Sequence, residues 1–249
     1  MVDASLTTQG YARATFSGRR GSVAAFLEAV TRRLGDRKGL RILELGCGTG
    51  DVALALAEQN QDHEIVGVDL SATNVALAES RSAKLGKRVT FHSGDYRSWS
   101  CGRFDVIVAD SVIHLIAMDN SAWAVKLARD LAPGGLLMVT MPDRCARNVA
   151  LILLRRAWRL MPPSFDSMAL AAAQLLHSEE PDHVLADRIG YLRIVPERLF
   201  DSAFLSRMAG AGLTLKEVAP WPGASLLKLR HRFIVLLRTK SGRLPGESP

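Results

Sequence analysis

The sequence predicts an α/β fold, an open and mostly parallel sheet with helices on both faces. Two observations carry the expectation. From Arg41 a short apolar strand, Ile42-Leu43-Glu44-Leu45, runs into Gly46-Cys47-Gly48-Thr49-Gly50-Asp51 and then into a strong helix former at 52–58. That strand, turn and helix are the opening unit of such a sheet. Segments 64–69 and 88–95 are again apolar and again close on an aspartate. Successive strands thus set carboxylates at one sheet edge, where open α/β sheets bind ligands.

The glycine turn narrows the ligand. Gly46, Gly48 and Gly50 let the chain pass through positive φ and let a ligand lie against bare backbone. A dinucleotide fingerprint, G-x-G-x-x-G, would need a glycine where Asp51 stands. An acid in the first helical turn suits the helix dipole but repels a pyrophosphate bound there. No G-K-[ST] follows for a phosphate loop. The turn therefore fits a nucleoside that carries positive charge, although glycine turns also occur in other α/β proteins. From Glu44 to Gly50 the chain resembles the E/D-x-G-x-G-x-G motif of class I S-adenosylmethionine-dependent methyltransferases. The resemblance implies a Rossmann-like seven-stranded sheet, methyl transfer as the activity and S-adenosyl-L-methionine as the cofactor. It places Glu44, Gly46, Cys47, Gly48 and Gly50 at the methionine end.

The elements follow in order. Residues 5–36 read as one or two helices, with Val23, Phe26, Leu27, Val30 and Leu34 at helical spacing. In the resembled family such helices cover the cofactor. Tyr11, Arg19 or Arg20 could reach the methionine carboxylate or the substrate, or could be surface residues. Segment 64–71 is the second strand; Asp69 stands 19 residues after Gly50, near the spacing at which a carboxylate takes both ribose hydroxyls. Asp69 and Leu70 are the expected ribose contacts, and Ser71 can cap the following helix. Segment 88–96 is the third strand. The resemblance assigns its Gly94 and Asp95 to the adenine edge and lets the Tyr96 side chain pack against the ring.

Segment 104–110 is the fourth strand. By resemblance Asp110 and Ser111 line the methyl-bearing end of the cofactor and border the acceptor. The turn reads Asp110-Ser111-Val112-Ile113-His114 and lacks the [ND]-P-P-[YF] of enzymes that methylate base or glutamine nitrogens. It also lacks the Pro-Cys nucleophile of the 5-methylcytosine class. His114 is either a general base, since imidazole titrates near working pH, or a structural histidine. Segment 121–131 is a helix, Ala132-Pro133-Gly134-Gly135 breaks it, and 136–141 is strand five. Residues 143–196 are too many for an unstructured connection and read as an insertion of helices at 148–161, at 167–177 and after Pro181. As a lid it suits an oily or aromatic substrate, with Arg155 and Arg159 available to a carboxylate or phosphate on it. It could instead bury its own apolar face, form a homodimer interface, or rest on a membrane surface. A helix at 196–212 then precedes strand six at 213–219 and strand seven at 232–239, the latter antiparallel between strands five and six in the resembled fold.

The chain accordingly divides into an N-terminal helical cover (1–38), a cofactor-binding core (39–142), the insertion (143–196), the last helix and strands of the core (197–240) and a tail (241–249). Its 249 residues suffice for one sizeable core, and 48% hydrophobic content is that of a globular protein. Cys47, Cys101 and Cys145 have no paired spacing, which suits a reduced, cytoplasmic protein and gives neither a disulfide frame nor a metal site. No signal peptide and no run of ~18 apolar residues is visible, so no span is expected. A net charge of +7 raises an RNA methyltransferase as an alternative. The basic residues are dispersed, however, and no RNA-binding appendage shows, so a nucleic acid partner is disfavoured. The favoured expectation is methylation of an oxygen or nitrogen on a small, apolar or aromatic molecule. A non-catalytic S-adenosylmethionine-binding subunit is the remaining alternative.

Overall fold

A computed structural model describes residues 20–86, 89–176, 182–222 and 228–239. Tyr11 and Arg19 lie outside the described residues. Helix α1 (Arg20–Leu34) precedes β1 (Arg41–Leu45), α2 (Asp51–Gln59), β2 (Glu64–Asp69), α3 (Ala72–Leu85), β3 (Val89–Ser93) and β4 (Phe104–Asp110). A short 3₁₀ turn, Ile113–Leu115, leads to α4 (Asn120–Asp130) and β5 (Leu131–Pro142). The insertion holds α5 (Ala146–Leu160), α6 (Ser164–Leu176) and α7 (Asp182–Leu192), and the chain closes with α8 (Ser202–Gly210), β6 (Leu213–Pro220) and β7 (His231–Arg238).

The seven strands form one sheet in the order β3-β2-β1-β4-β5-β7-β6. β1 to β5 are parallel, and β7 runs antiparallel to both β5 and β6. This is the Rossmann-like sheet the sequence predicts. Central strands are buried on both faces, which is why β1 and β4 read as continuous apolar runs. Leu43, Leu45, Ile107 and Ala109 pack against Trp123 and Leu127 of α4 and Phe204 and Met208 of α8. Ile42, Ile65, Val106 and Val108 pack on the opposite face against Phe26 of α1, Val52 and Leu56 of α2 and Ala78 of α3.

Two expected elements shift. β5 begins at Leu131, because Leu131 pairs with Phe104 before the register breaks; Gly134 at φ 82° accommodates that irregularity. The helix expected over 196–212 starts only at Ser202, where the Asp201 carboxylate accepts from Phe204 N. The stretch before it is pinned to the sheet rim instead: Glu197 N donates to His114 O, Phe200 N to Pro142 O, and buried Arg198 to the carbonyls of Ile116 and Met118. The insertion is tied down by Asn148, fully buried, whose amide donates to Asp143 O and Arg230 O and accepts from Arg230 N at 2.7–2.8 Å. Among the described residues no helix is long and apolar enough to cross a membrane.

Candidate active site

The site grows from the β1–α2 turn. Gly46, Gly48 and Gly50 all take positive φ, 69°, 52° and 80°, a region that other residues enter only at a cost. A Cβ on Gly46 would lie 2.5 Å from Val112 Cγ2, so the turn after β1 packs against the turn after β4. A Cβ on Gly48 would meet nothing within 4 Å; the backbone there faces open space, as a ligand-bearing turn requires.

Asp69 organises the rim. Its Oδ2 accepts from Gly48 N at 2.9 Å and its Oδ1 from Ser71 N at 2.8 Å, joining the glycine turn to the start of α3. A carboxylate has about four acceptor sites, so lone pairs remain for a ligand's hydroxyls. Leu70 beside it is 58% exposed, an apolar surface at the same edge. Arg81 reaches the far side of the turn, bound to Asp51 at 2.7 Å and to Thr49 O at 2.7 Å, so its charge is matched within the turn.

Glu44 lies beneath this rim. It is 6% exposed and its Oε2 accepts from Ala53 N at 2.8 Å, so it braces the start of α2. The alternation of β1 sets Glu44 on the α2 side with Ile42, and this bond uses one of its two carboxylate oxygens. Burial pushes its carboxyl well above the usual range, with Asp51, Asp110 and Asp69 adding to the rise. Cys47 is likewise buried, and burial pushes its thiol up. Gly94 N donates to Asp69 O at 2.9 Å. Asp95 holds Arg97 at 2.6 Å, a contact that lowers its carboxyl below the ordinary value, and its side chain stays 32% exposed.

The Tyr96 side chain does not reach the rim. It is 3% exposed, stacks on Trp123 at 5.5 Å and carries Lys126 4.3 Å from its ring centroid. It is a core aromatic. The rim at the end of β4 is closely hydrogen-bonded. Thr140 Oγ1 donates to Asp110 Oδ1 at 2.6 Å, accepts from Ser111 N at 2.8 Å and lies 3.1 Å from Ser111 Oγ. Ser111 is the one non-glycine residue at positive φ among the described residues, at 61°, a strained backbone of the kind that gathers at functional sites.

His114 is 1% exposed and meets His231 edge to face, ring centroids 5.4 Å apart. His231 Nδ1 lies 2.9 Å from Leu229 O, which assigns the proton to Nδ1 and leaves a lone pair on Nε2. That Nε2 is buried without a hydrogen-bond partner. Burial holds the His231 pKa below its ordinary value; nearby Asp110 and Asp143 oppose the shift and Arg155 adds to it. Arg155 is buried, donating to Ile194 O at 3.2 Å with its guanidinium 4.5 Å from the Tyr191 ring centroid. Arg159, one turn further along the same stripe, is exposed near the end of α5. The two arginines expected to act together differ in burial, because Arg155 is enclosed by Ile194 and Tyr191 while Arg159 stands in the last turn of α5. Thr140 and His231 were missed from the sequence: a lone hydroxyl in an apolar strand and a histidine opening the last strand carry no motif. No cluster of potential metal ligands occurs among the described residues.

The donor set fits a cationic nucleoside, with acids along the rim, open backbone at Gly48 and Asp69 already fixed by two N–H groups. Comparison with known proteins agrees. A family model described as "Methyltransferase domain" matches residues 36–183. The ubiquinone biosynthesis O-methyltransferase of Azorhizobium caulinodans is 32% identical over 125 residues, 49% of this chain and 48% of that one. The magnesium-protoporphyrin O-methyltransferase of Rhodobacter capsulatus is 37% identical over 96 residues, 38% of this chain and 42% of that one. The chain thus spans about half the length of the curated relatives it matches. In structure, magnesium protoporphyrin IX methyltransferase from Synechocystis PCC 6803 with bound SAH superposes with a TM-score of 0.60 at 15% identity, over 93% of this chain and 94% of that one. The strand order, the acid-lined glycine turn and the family match together establish that the chain belongs to the methyltransferase domain family of class I, S-adenosylmethionine-dependent enzymes.

Proposed function

We propose that the protein transfers a methyl group to an oxygen or nitrogen of a small, apolar or aromatic acceptor. The observation that carries this reading is Asp69, held by Gly48 N and Ser71 N at 2.9 and 2.8 Å beside an open glycine turn. S-adenosylmethionine supplies an electrophilic methyl on a sulfonium whose leaving group is built in, so the protein has to align the acceptor and keep water out. Asp69 would accept from the ribose hydroxyls, Asp95 from the adenine amino group, and the bare backbone of Gly46, Gly48 and Gly50 would bed the methionine end. Asp110, Ser111 and Thr140 would position the acceptor. An oxygen acceptor must also lose a proton, and His231 Nε2 supports that role better than His114, since it combines a free lone pair with a depressed pKa. The named O-methyltransferase relatives favour oxygen over nitrogen.

The test is thermal unfolding with S-adenosylhomocysteine and, separately, with a nicotinamide dinucleotide. A rise in Tm with the first alone is expected. Stabilisation by the dinucleotide alone would overturn the reading.

A further inference from the structure

Helix α6 buries none of its residues, although it is built as Ser-Phe-Asp-Ser-Met-Ala-Leu-Ala-Ala-Ala-Gln-Leu-Leu. Its half-buried positions Asp166, Ala169, Leu170 and Ala173 share the side on which it packs against α7. Its other stripe is left in solvent: Phe165 39%, Met168 65%, Leu175 86% and Leu176 78% exposed. Helix α5 continues the pattern. Leu153 (59%) and Leu160 (84%) flank exposed Arg156 at i, i+3 and i+7 spacing, with exposed Arg159 one position before Leu160 and Met161 carrying apolar surface across the turn. The turn is rigidly set: Trp158 Nε1 donates to Asp166 Oδ1 at 2.9 Å, and Arg193 binds Asp166 Oδ2 at 2.6 Å. This apolar surface is therefore a fixed feature, and soluble proteins seldom leave so much in water without a partner.

Charge identifies the occupant. Of the arginines on α5, Arg156 and Arg159 are exposed, and the one acid on either helix, Asp166, is held by Trp158 and Arg193. A second copy docking through the same face would bring the two arginine sets together, which like-charge repulsion opposes. Leucines with arginines interleaved on one exposed stripe match an interface between acyl chains and anionic headgroups, where arginine stems lie along apolar surface and the guanidinium stays at the phosphates. We infer that the outer face of α5 and α6 is a docking surface for an anionic lipid bilayer, on which the protein lies without spanning it. The inference is independent of the methyl-transfer reading, because none of its residues belongs to the rim.

The experiment is flotation of the full chain with vesicles of pure phosphatidylcholine and of phosphatidylcholine containing phosphatidylglycerol. Binding to the anionic vesicles, weakened by salt, is expected. The double variant Leu175→Glu and Leu176→Glu should lose it, at roughly tenfold or more per leucine. Arg156→Glu with Arg159→Glu should weaken it by about fivefold or more per arginine. All four side chains are exposed, and an unchanged Tm with an unchanged response to S-adenosylhomocysteine shows that each variant is folded. Absence of binding to anionic vesicles overturns the inference. So does binding that survives the leucine variant, which would be adsorption by charge alone. Concentration-dependent self-association in sedimentation, lost in the leucine variant and without vesicle binding, would assign the face to a second copy and equally overturn it.

Discussion

Asp69 shows how one side chain shapes the turn and, in the proposed function, also holds the ligand. Its two backbone bonds set the shape of the turn, and its remaining lone pairs face outward. Asp69→Ala should weaken S-adenosylhomocysteine binding by about 1.5–3 kcal/mol, the range for hydrogen bonds to a charged group; calorimetry checks it, and an unchanged affinity would remove the ribose assignment. The glycines separate strain from steric conflict. Gly48→Ala meets only the cost of positive φ, about 1–2 kcal/mol. Gly46→Ala adds the collision with Val112 at 2.5 Å, a further ~1–3 kcal/mol. Urea denaturation should therefore rank Gly46→Ala below Gly48→Ala. At His231 the folded-state pKa lies below the ordinary 6.5, so at mildly acid pH the unfolded chain binds a proton that the folded chain refuses. Stability contributed by the neutral ring is present above 6.5 and is lost as pH falls through the folded value. His231→Gln should flatten that acid limb, read from Tm against pH. Position at the sheet rim was legible where a strand closes on an acid, as at Asp69. Side-chain direction was illegible where only the fold decides it: Tyr96 stands at the expected position, but stacking on Trp123 turns its ring into the core.

Among the elements, α5 and β7 are joined through one amide. Asn148 accepts from Arg230 N and donates to Asp143 O and Arg230 O; the two carbonyls also accept from Cys145 N and Asp143 N, so Asn148→Ala leaves Arg230 N as the one group without its partner. A loss of about 1–3 kcal/mol is expected, the cost of one unsatisfied buried group, visible as a lower urea midpoint. The insertion's helices were legible from proline and periodicity, with starts at Ala146 and Ser164 a few residues before the expected ones. The stretch up to Phe200 was misread as helix because its apolar spacing suits one. In the fold, buried Arg198 and the bridge between Asp143 and Phe200 hold it extended. Long-range hydrogen bonds of that kind leave no local trace in a sequence.

For the molecule as a whole, the mixed sheet followed from the resemblance carried by the glycine turn and the strand-end acids. The first five strands were also legible in their own right, since buried parallel strands read as apolar runs. β6 was weaker in signal, with a largely exposed or half-exposed pattern, and its partner in the sheet is set by topology alone.

That topology has a consequence for how the chain is made. β7 follows β6 in sequence but lies between β5 and β6. During synthesis β6 therefore leaves the ribosome with no neighbour to pair with, while the apolar edge of β5 stays uncovered until His231–Arg238 arrives. An open edge of that kind invites pairing with other chains. A nascent polypeptide stalled before His231 should hence be a ready client for chaperones, and release of the final strand should end that dependence.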